Sequence, residues 1–273
     1  MILIVGYEKF PLSKIIFEMC KEQRVPCTLI NEKNINENFI KDELTQENFD
    51  ITWKDNQFEF KFSSISGILN LLQFPLNIRV TNNLDDDIFY VEQFIAYFSF
   101  ALHSHRNVFN MPKNGNVNSN LFSVIHFWEY LSSKKIKTPK WGYSIEFLNS
   151  LSKTEKLNLI FSDNLFDYNN WNTSKRDKSI LYYLRPPGIH ILVAFINDYY
   201  ILSTDLQNFD SEIQNIMNYL KCLDINFGEL LLFHDHKFLT FGSFSPNPNM
   251  EQYSLDNQKK FTNQIIAKLY HVD

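Results

Sequence analysis

A chain of 273 residues with 44% hydrophobic and 21% charged side chains has material for one or two globular domains and lies outside the composition of disorder. Its formal net charge of −5 offers no general attraction to nucleic acid or anionic lipid, so neither is expected as a partner. Gly counts 7 against 26 Phe and 13 Tyr, which argues against a protein built around glycine-rich phosphate loops. No apolar run approaches the roughly 18–20 residues that cross a bilayer, so no membrane partner is expected. In the opening MILIVGYEKF no basic segment precedes the apolar run, which is too short for a signal-peptide core. A cytoplasmic protein is the expectation. Cys20, Cys27 and Cys222 form no CxxC pair and read as reduced, small buried hydrophobes.

In chain order, Ile2–Val5 reads as a buried strand, residues 13–23 as a helix with Ile15, Ile16 and Met19 on one face, and residues 25–30 as a second strand. This β-α-β opening implies a small parallel sheet. Residues 31–50, rich in Asn and Glu, read as a loop or exposed helix. Alternation on both sides of Lys54-Asp55-Asn56-Gln57 predicts a β-hairpin, and ISGILNLL (residues 65–72) a buried strand. Residues 86–103 form an aromatic amphipathic helix in which Ile88, Val91, Phe94, Ile95, Phe98 and Leu102 face inward. The stretch NVFNMPKNGNVNSN reads as a loop separating an N-terminal domain, residues 1–106, from the remainder, residues 107–273.

In the second part, residues 121–135 are a helix burying Phe122, Ile125, Trp128 and Leu131, and PKWGYSIEF an extended stretch. Residues 150–178 are polar and without a clear period. Residues 179–184 and 189–196 read as strands; Asn197-Asp198 then turns the chain into a hairpin with residues 199–202. A helix over 210–223, a hairpin formed by residues 229–233 and 238–244, and a closing helix over 257–270 complete the pattern. The fold class is therefore α/β (α+β): an N-terminal βαβ lobe followed by lobes of antiparallel sheet and helix.

The order of these pieces resembles the ATP-grasp superfamily, and within it the RimK-like and ribosomal-peptide-maturase ligases. MILIVGYEKFPLSKIIFEMCKEQRVPCTLIN is similar to the family's opening strand-helix-strand, and SISGILNLLQFP occupies the place of its later strand. NMPKNGNVNSNLFSVIHFWEYLSSKKIKTP resembles the linker and the helix that lead to a conserved Pro-x-Thr, falling here at Pro139. YYLRPPGIHILVAFINDYYIL is similar to the hinge strand and the following Glu-Ile-Arg strand, and LDINFGELLLFHDHKFLTFGSFSPNPN to the metal-binding hairpin.

The resemblance implies that Tyr182, Tyr183 and Leu184 line a nucleotide site as the hinge, with Glu229 beside them. It implies that Glu229, Ser243 and Ser245 occupy the metal-ligand positions, with Asn247 nearby. Hard Mg²⁺ needs oxygen ligands, usually carboxylates together with phosphates, and basic groups neutralise the transferred phosphoryl group. At these positions the chain departs from the family. Its Glu-x-Asn pair becomes Ser243-Phe244-Ser245, its Glu-Ile-Arg becomes His190-Ile191-Leu192, and no lysine stands at Ser123-Val124. Lys153, Lys156 and Lys175 lie in the short segment before Tyr182 without a strand context.

The expectation is thus an ATP-grasp-like pseudoenzyme of peptide modification that binds a peptide or a partner enzyme and takes no cofactor. Its alternative is an atypical carboxylate–amine or carboxylate–hydroxyl ligase that uses ATP and Mg²⁺. The partners implied are a precursor peptide, a paralogous ATP-grasp enzyme, or a second copy in a homodimer.

Four other groups were weighed. His234-Asp235-His236 has metal-ligating types but sits at a predicted turn. His103-Ser104-His105-Arg106 suits a helix C-terminus, and Asp85-Asp86-Asp87 a helix start. Lys134, Lys135, Lys137 and Lys140 form a basic cluster that reads as a solvated face or a seat for an acidic peptide or phosphate. Residues 86–103 are the segment that an apolar docking surface would use.

Overall fold

The computed structural model describes residues 1–7, 10–31, 41–44, 49–54, 59–72, 84–113, 123–143, 145–157, 159–160, 182–204, 208–235 and 237–270. The chain opens with β1 (Ile2–Val5), α1 (Pro11–Glu22), β2 (Cys27–Ile30), β3 (Lys41–Leu44), β4 (Phe49–Lys54), β5 (Glu59–Lys61), β6 (Gly67–Asn70), α2 (Leu84–His103) and β7 (Val108–Phe109). It continues with α3 (Val124–Ser133), β8 (Trp141–Gly142), α4 (Ile145–Ser150), α5 (Lys153–Leu157), β9 (Leu159–Ile160), β10 (Tyr182–Leu184), β11 (Ile189–Ile196) and β12 (Tyr199–Leu202). The last elements are α6 (Asp210–Lys221), β13 (Phe227–His234), β14 (Leu239–Ser245) and α7 (Leu255–Tyr270).

Two compact units emerge. One comprises Met1–Leu121, Lys221–Phe227 and Pro246–Asp273; the other comprises Phe122–Leu220 and Gly228–Ser245. In the first unit a parallel sheet runs in the order β2-β1-β6-β7. Its central strand β1 is wholly buried, which is why it reads as a continuous apolar run with no alternation. Leu3, Val5, Ile68, Phe94, Phe98 and Leu102 belong to one buried cluster on this sheet. The C-terminal helix α7 packs against α1, β1 and β6. Asn70 and Asn110 clamp two strand ends: Asn70 Nδ2 donates to Asn110 O at 2.9 Å, and Asn110 Nδ2 donates to Asn70 O at 3.1 Å and Pro246 O at 2.9 Å.

Three expectations are corrected here. Part of residues 31–50 is neither loop nor helix: Lys41–Leu44 is a strand, paired antiparallel with β4 in the sheet β3-β4-β5. Polar side chains do not prevent ladder formation when the backbone finds a partner strand. The segment read as a loop holds β7, which closes the parallel sheet through Ile68–Val108 and Leu69–Phe109 pairing. Ile88 is 49% exposed, while Phe94, Phe98 and Leu102 are buried. In the first turn of α2 it is Asp87, 8% exposed, and not Ile88 that is buried. Phe122 and residues 161–181, including Lys175, lie outside the described residues.

The second unit contains the sheets β8-β10-β9 and β12-β11-β13-β14. β11 and β12 form the expected hairpin, with Ile196 opposite Tyr199 and Asn197 at φ 53°, a left-handed conformation that asparagine tolerates. Strand β11 carries six consecutive buried residues, Ile191–Ile196.

Candidate functional site

The antiparallel register of β13 and β14 sets the site. Glu229 stands opposite Ser245 and Leu231 opposite Ser243; beyond Leu231 a bulge shifts the pairing, so that Leu232 meets Phe241. Directly opposed residues share a face, as do alternate residues along a strand. Glu229, Ser243 and Ser245 therefore lie on one face of the sheet. Glu229 is 1% exposed and Ser243 is buried, which is an unusual setting for a carboxylate. Gly228, just before Glu229, has φ 150°; a Cβ there would lie 2.4 Å from the Phe244 ring and 2.5 Å from Ser245 O. The close approach of the two strands at Glu229 thus requires glycine.

The opposite face is aromatic. Phe244 meets Phe127 of α3 and Phe195 of β11, with ring centroids 5.6 Å and 6.3 Å away. Helix α3 is also tied to the bulge: Trp128 Nε1 donates to Gly242 O at 2.8 Å. The Trp128 ring packs at 5.5 Å on Tyr183 and at 6.4 Å on Trp141. Tyr183, 1% exposed, is thus a core residue. Tyr182, Tyr183 and Leu184 form β10 between β8 and β9, and Leu184 N–H donates to Lys140 O at 2.8 Å. The hinge residues and the Glu229 group therefore occupy different sheets of the same unit. Asn247 belongs to the first unit, where Nδ2 donates to Leu71 O at 3.4 Å.

The donor set fits Mg²⁺ poorly. One carboxylate and two hydroxyls supply a single charge where the cation favours several carboxylates or phosphates. Among the described residues no group of three His, Cys, Asp or Glu side chains gathers in a way that could hold a metal. Asp235 is a turn residue, since its Oδ1 accepts the N–H groups of Lys237 and Phe238, and these bonds hold its carboxyl below the usual range. His236 is outside the described residues.

The cationic positions are engaged locally. Lys134 lies over the Tyr130 ring and Lys137 over Phe238, and Lys140 pairs with Glu155 at 3.1 Å. Backbone N–H of Ser152 and the Lys140 ammonium hold the Glu155 carboxyl down to about 2. Lys153 and Lys156 sit on α5, while β9 beside β10 carries only Leu159 and Ile160. Burial and then Arg185 hold the His190 imidazole below its ordinary value. His103 lies in the last turn of α2 with Nδ1 2.7 Å from Ser99 O, and Asp85, Asp86 and Asp87 in its first turn.

One feature of the first unit was not legible in any motif. A cleft of about 320 Å³ is bordered by Phe10, Pro11, Leu12 and Leu71 from one end of the chain and by Asn247, Pro248, Asn249 and Glu251 from the other. No sequence signal joins segments so far apart.

The fold defined by these sheets is that of the ATP-grasp ligases. No family model and no curated protein matches the chain; solved structures do. The chain is similar to the macrocyclase MdnC from Microcystis aeruginosa, bound with precursor peptide MdnA, at 8% identity and a TM-score of 0.71, with 99% of each chain covered. It is similar to an RiPP-associated ATP-grasp ligase of Chryseobacterium gregarium, in complex with ADP and a leader and core peptide, at 10% identity and a TM-score of 0.67, with 98% of this chain and 96% of that one covered. It is also similar to the ATP-grasp ligase PsnB complexed with precursor peptide PsnA2 and AMPPNP, at 9% identity and a TM-score of 0.66, covering 99% of this chain and 98% of that one. Among the described residues no helix is long and apolar enough to cross a membrane.

Proposed function

We propose that this protein is an ATP-grasp-like, catalytically degenerate component of a peptide-modification system, which binds a precursor peptide or a partner enzyme. The observation that carries this reading is the β13–β14 face, where Glu229 is accompanied by Ser243 and Ser245 in place of a carboxylate and an amide. Serine hydroxyls are weak ligands for Mg²⁺ at neutral pH, and a metal site reduced to one carboxylate loses most of its attraction for the metal–phosphate pair. The lack of charge at His190-Ile191-Leu192 points the same way. The resemblance in fold to ligases that were solved with precursor peptides supports a peptide as the ligand class.

Isothermal titration with Mg-ATP tests the reading. No heat of binding up to millimolar nucleotide is expected. Micromolar binding overturns it in favour of an active ligase, in which Glu229→Ala then abolishes ADP formation in the presence of the peptide substrate.

A further inference from the structure

The parallel sheet of the first unit contains a topological switch point. From β1 the chain passes through α1 to β2 on one side, whereas β6 and β7 extend the sheet on the other. In open parallel sheets the crevice outside the carboxyl ends of the strands, where the order reverses, is the place that receives ligands. Here that crevice is occupied by the 320 Å³ cleft. Its lining residues follow β1 (Phe10, Pro11 and Leu12 at the start of α1) and β6 (Leu71). The volume lies at the small end of the range for small-molecule sites.

The chemistry of the walls is uneven. Phe10, Pro11, Leu12, Leu71 and Pro248 present apolar surface, and Phe10 is braced by an edge-on contact with Tyr7 at 5.3 Å. Glu251 is exposed at the cleft and forms no ion pair with a described residue. The two asparagines are committed to local structure, because Asn249 Oδ1 accepts Glu251 N–H and Asn247 Nδ2 donates to Leu71 O. They fix the loop that presents the Glu251 carboxylate. At the start of α1, Pro11 has no N–H, Phe10 N–H donates to Tyr7 O at 3.0 Å, and Leu12 and Ser13 are buried. The cleft therefore offers an apolar floor and one anionic group.

We propose that this cleft binds a primary ammonium group carried on a short aliphatic body within a peptide. The ammonium meets Glu251, and the methylenes cover Phe10, Pro11 and Pro248. Both a lysine side chain and a peptide amino terminus have this chemistry. The proposal rests on the peptide-binding reading and names a subsite for it in the first unit.

Saturation-transfer NMR on the full chain with three small probes tests it. Nα-acetyl-lysine methylamide carries the charge on the side chain, leucine methylamide carries it on the α-nitrogen, and Nα-acetyl-norleucine methylamide is neutral. At least one amine probe should bind in the millimolar range and compete with the other, and whichever binds tighter identifies the source of the ammonium. Glu251→Gln, an exposed change that leaves the circular dichroism spectrum intact, should weaken the amine probes about fivefold, the scale of an exposed ion pair, and leave the neutral probe unchanged. Equal binding of the neutral probe, no binding of either amine, or unchanged affinity in Glu251→Gln overturns the proposal. Because none of these probes contains phosphate, its failure is separate from any result with Mg-ATP.

Discussion

Replacing Trp128 by Phe isolates the device that holds the candidate site in register. In the native chain the indole is fully buried, donates to Gly242 O at the β14 bulge and packs on Tyr183 of β10. Phenylalanine keeps most of the apolar contact but leaves the Gly242 carbonyl without its donor. A buried acceptor stripped of its partner costs about 1–3 kcal/mol. The smaller ring adds roughly 1 kcal/mol for the space it fails to fill. The sum, about 2–4 kcal/mol, corresponds to a midpoint lowered by roughly 4–7 °C for a chain of this size. The assay is thermal unfolding followed by near-ultraviolet circular dichroism, which senses the buried indoles of the second unit directly. Trp141→Phe is the control, since Trp141 is only half-buried. If Trp128→Phe melts within 1 °C of Trp141→Phe, the bond to Gly242 does not hold the bulge and the reasoning fails.

Asn110→Ala removes two buried donations, to Asn70 O and Pro246 O, from a residue at φ 58°; a loss of about 2–4 kcal/mol is expected in urea unfolding, and a loss under 0.5 kcal/mol would show that the clamp is unimportant. His190 is held below the ordinary imidazole value of 6.5, chiefly by burial and then by Arg185. Protonation therefore favours the unfolded chain, so stability present above pH 6.5 should fall as pH drops below it; His190→Gln should flatten the slope between pH 6.5 and 5. Burial, and then the hydrogen bond to Asp210, raises the Tyr200 phenol to about 12; ultraviolet titration should lose one late-ionising tyrosine in Tyr200→Phe and show it ionising earlier in Asp210→Asn.

Local pattern made much of this fold readable. The continuous apolar run Ile2–Val5 and the turn at Asn197-Asp198 were visible as a buried strand and a hairpin because each is specified by residues adjacent in the chain. The sequential order of such pieces pointed to the ATP-grasp fold even though no single motif was strong. The hydroxyls of Ser243 and Ser245 could likewise be read directly, because they concern residue identity alone. Strands β3 and β7 escaped, since Lys41–Leu44 is polar and Val108–Phe109 is too short to show a period. Each becomes a strand only because another strand supplies its hydrogen bonds. Ile88 misled for a related reason: helical spacing identifies an apolar face, but in the first turn of α2 the structure buries Asp87 instead.

Residue identity therefore determined the order of elements and the placing of one carboxylate, Glu229, with two hydroxyls, Ser243 and Ser245, at a single predicted hairpin. Tertiary structure decided what the residues face. The β13–β14 register turned Glu229, Ser243 and Ser245 to one side of a sheet, and the folding of Pro246–Asp273 into the first unit set Glu251 beside Phe10. Such meetings depend on long-range pairing whose energy comes from burial and backbone hydrogen bonds, and neither leaves a periodic mark on a single stretch of sequence.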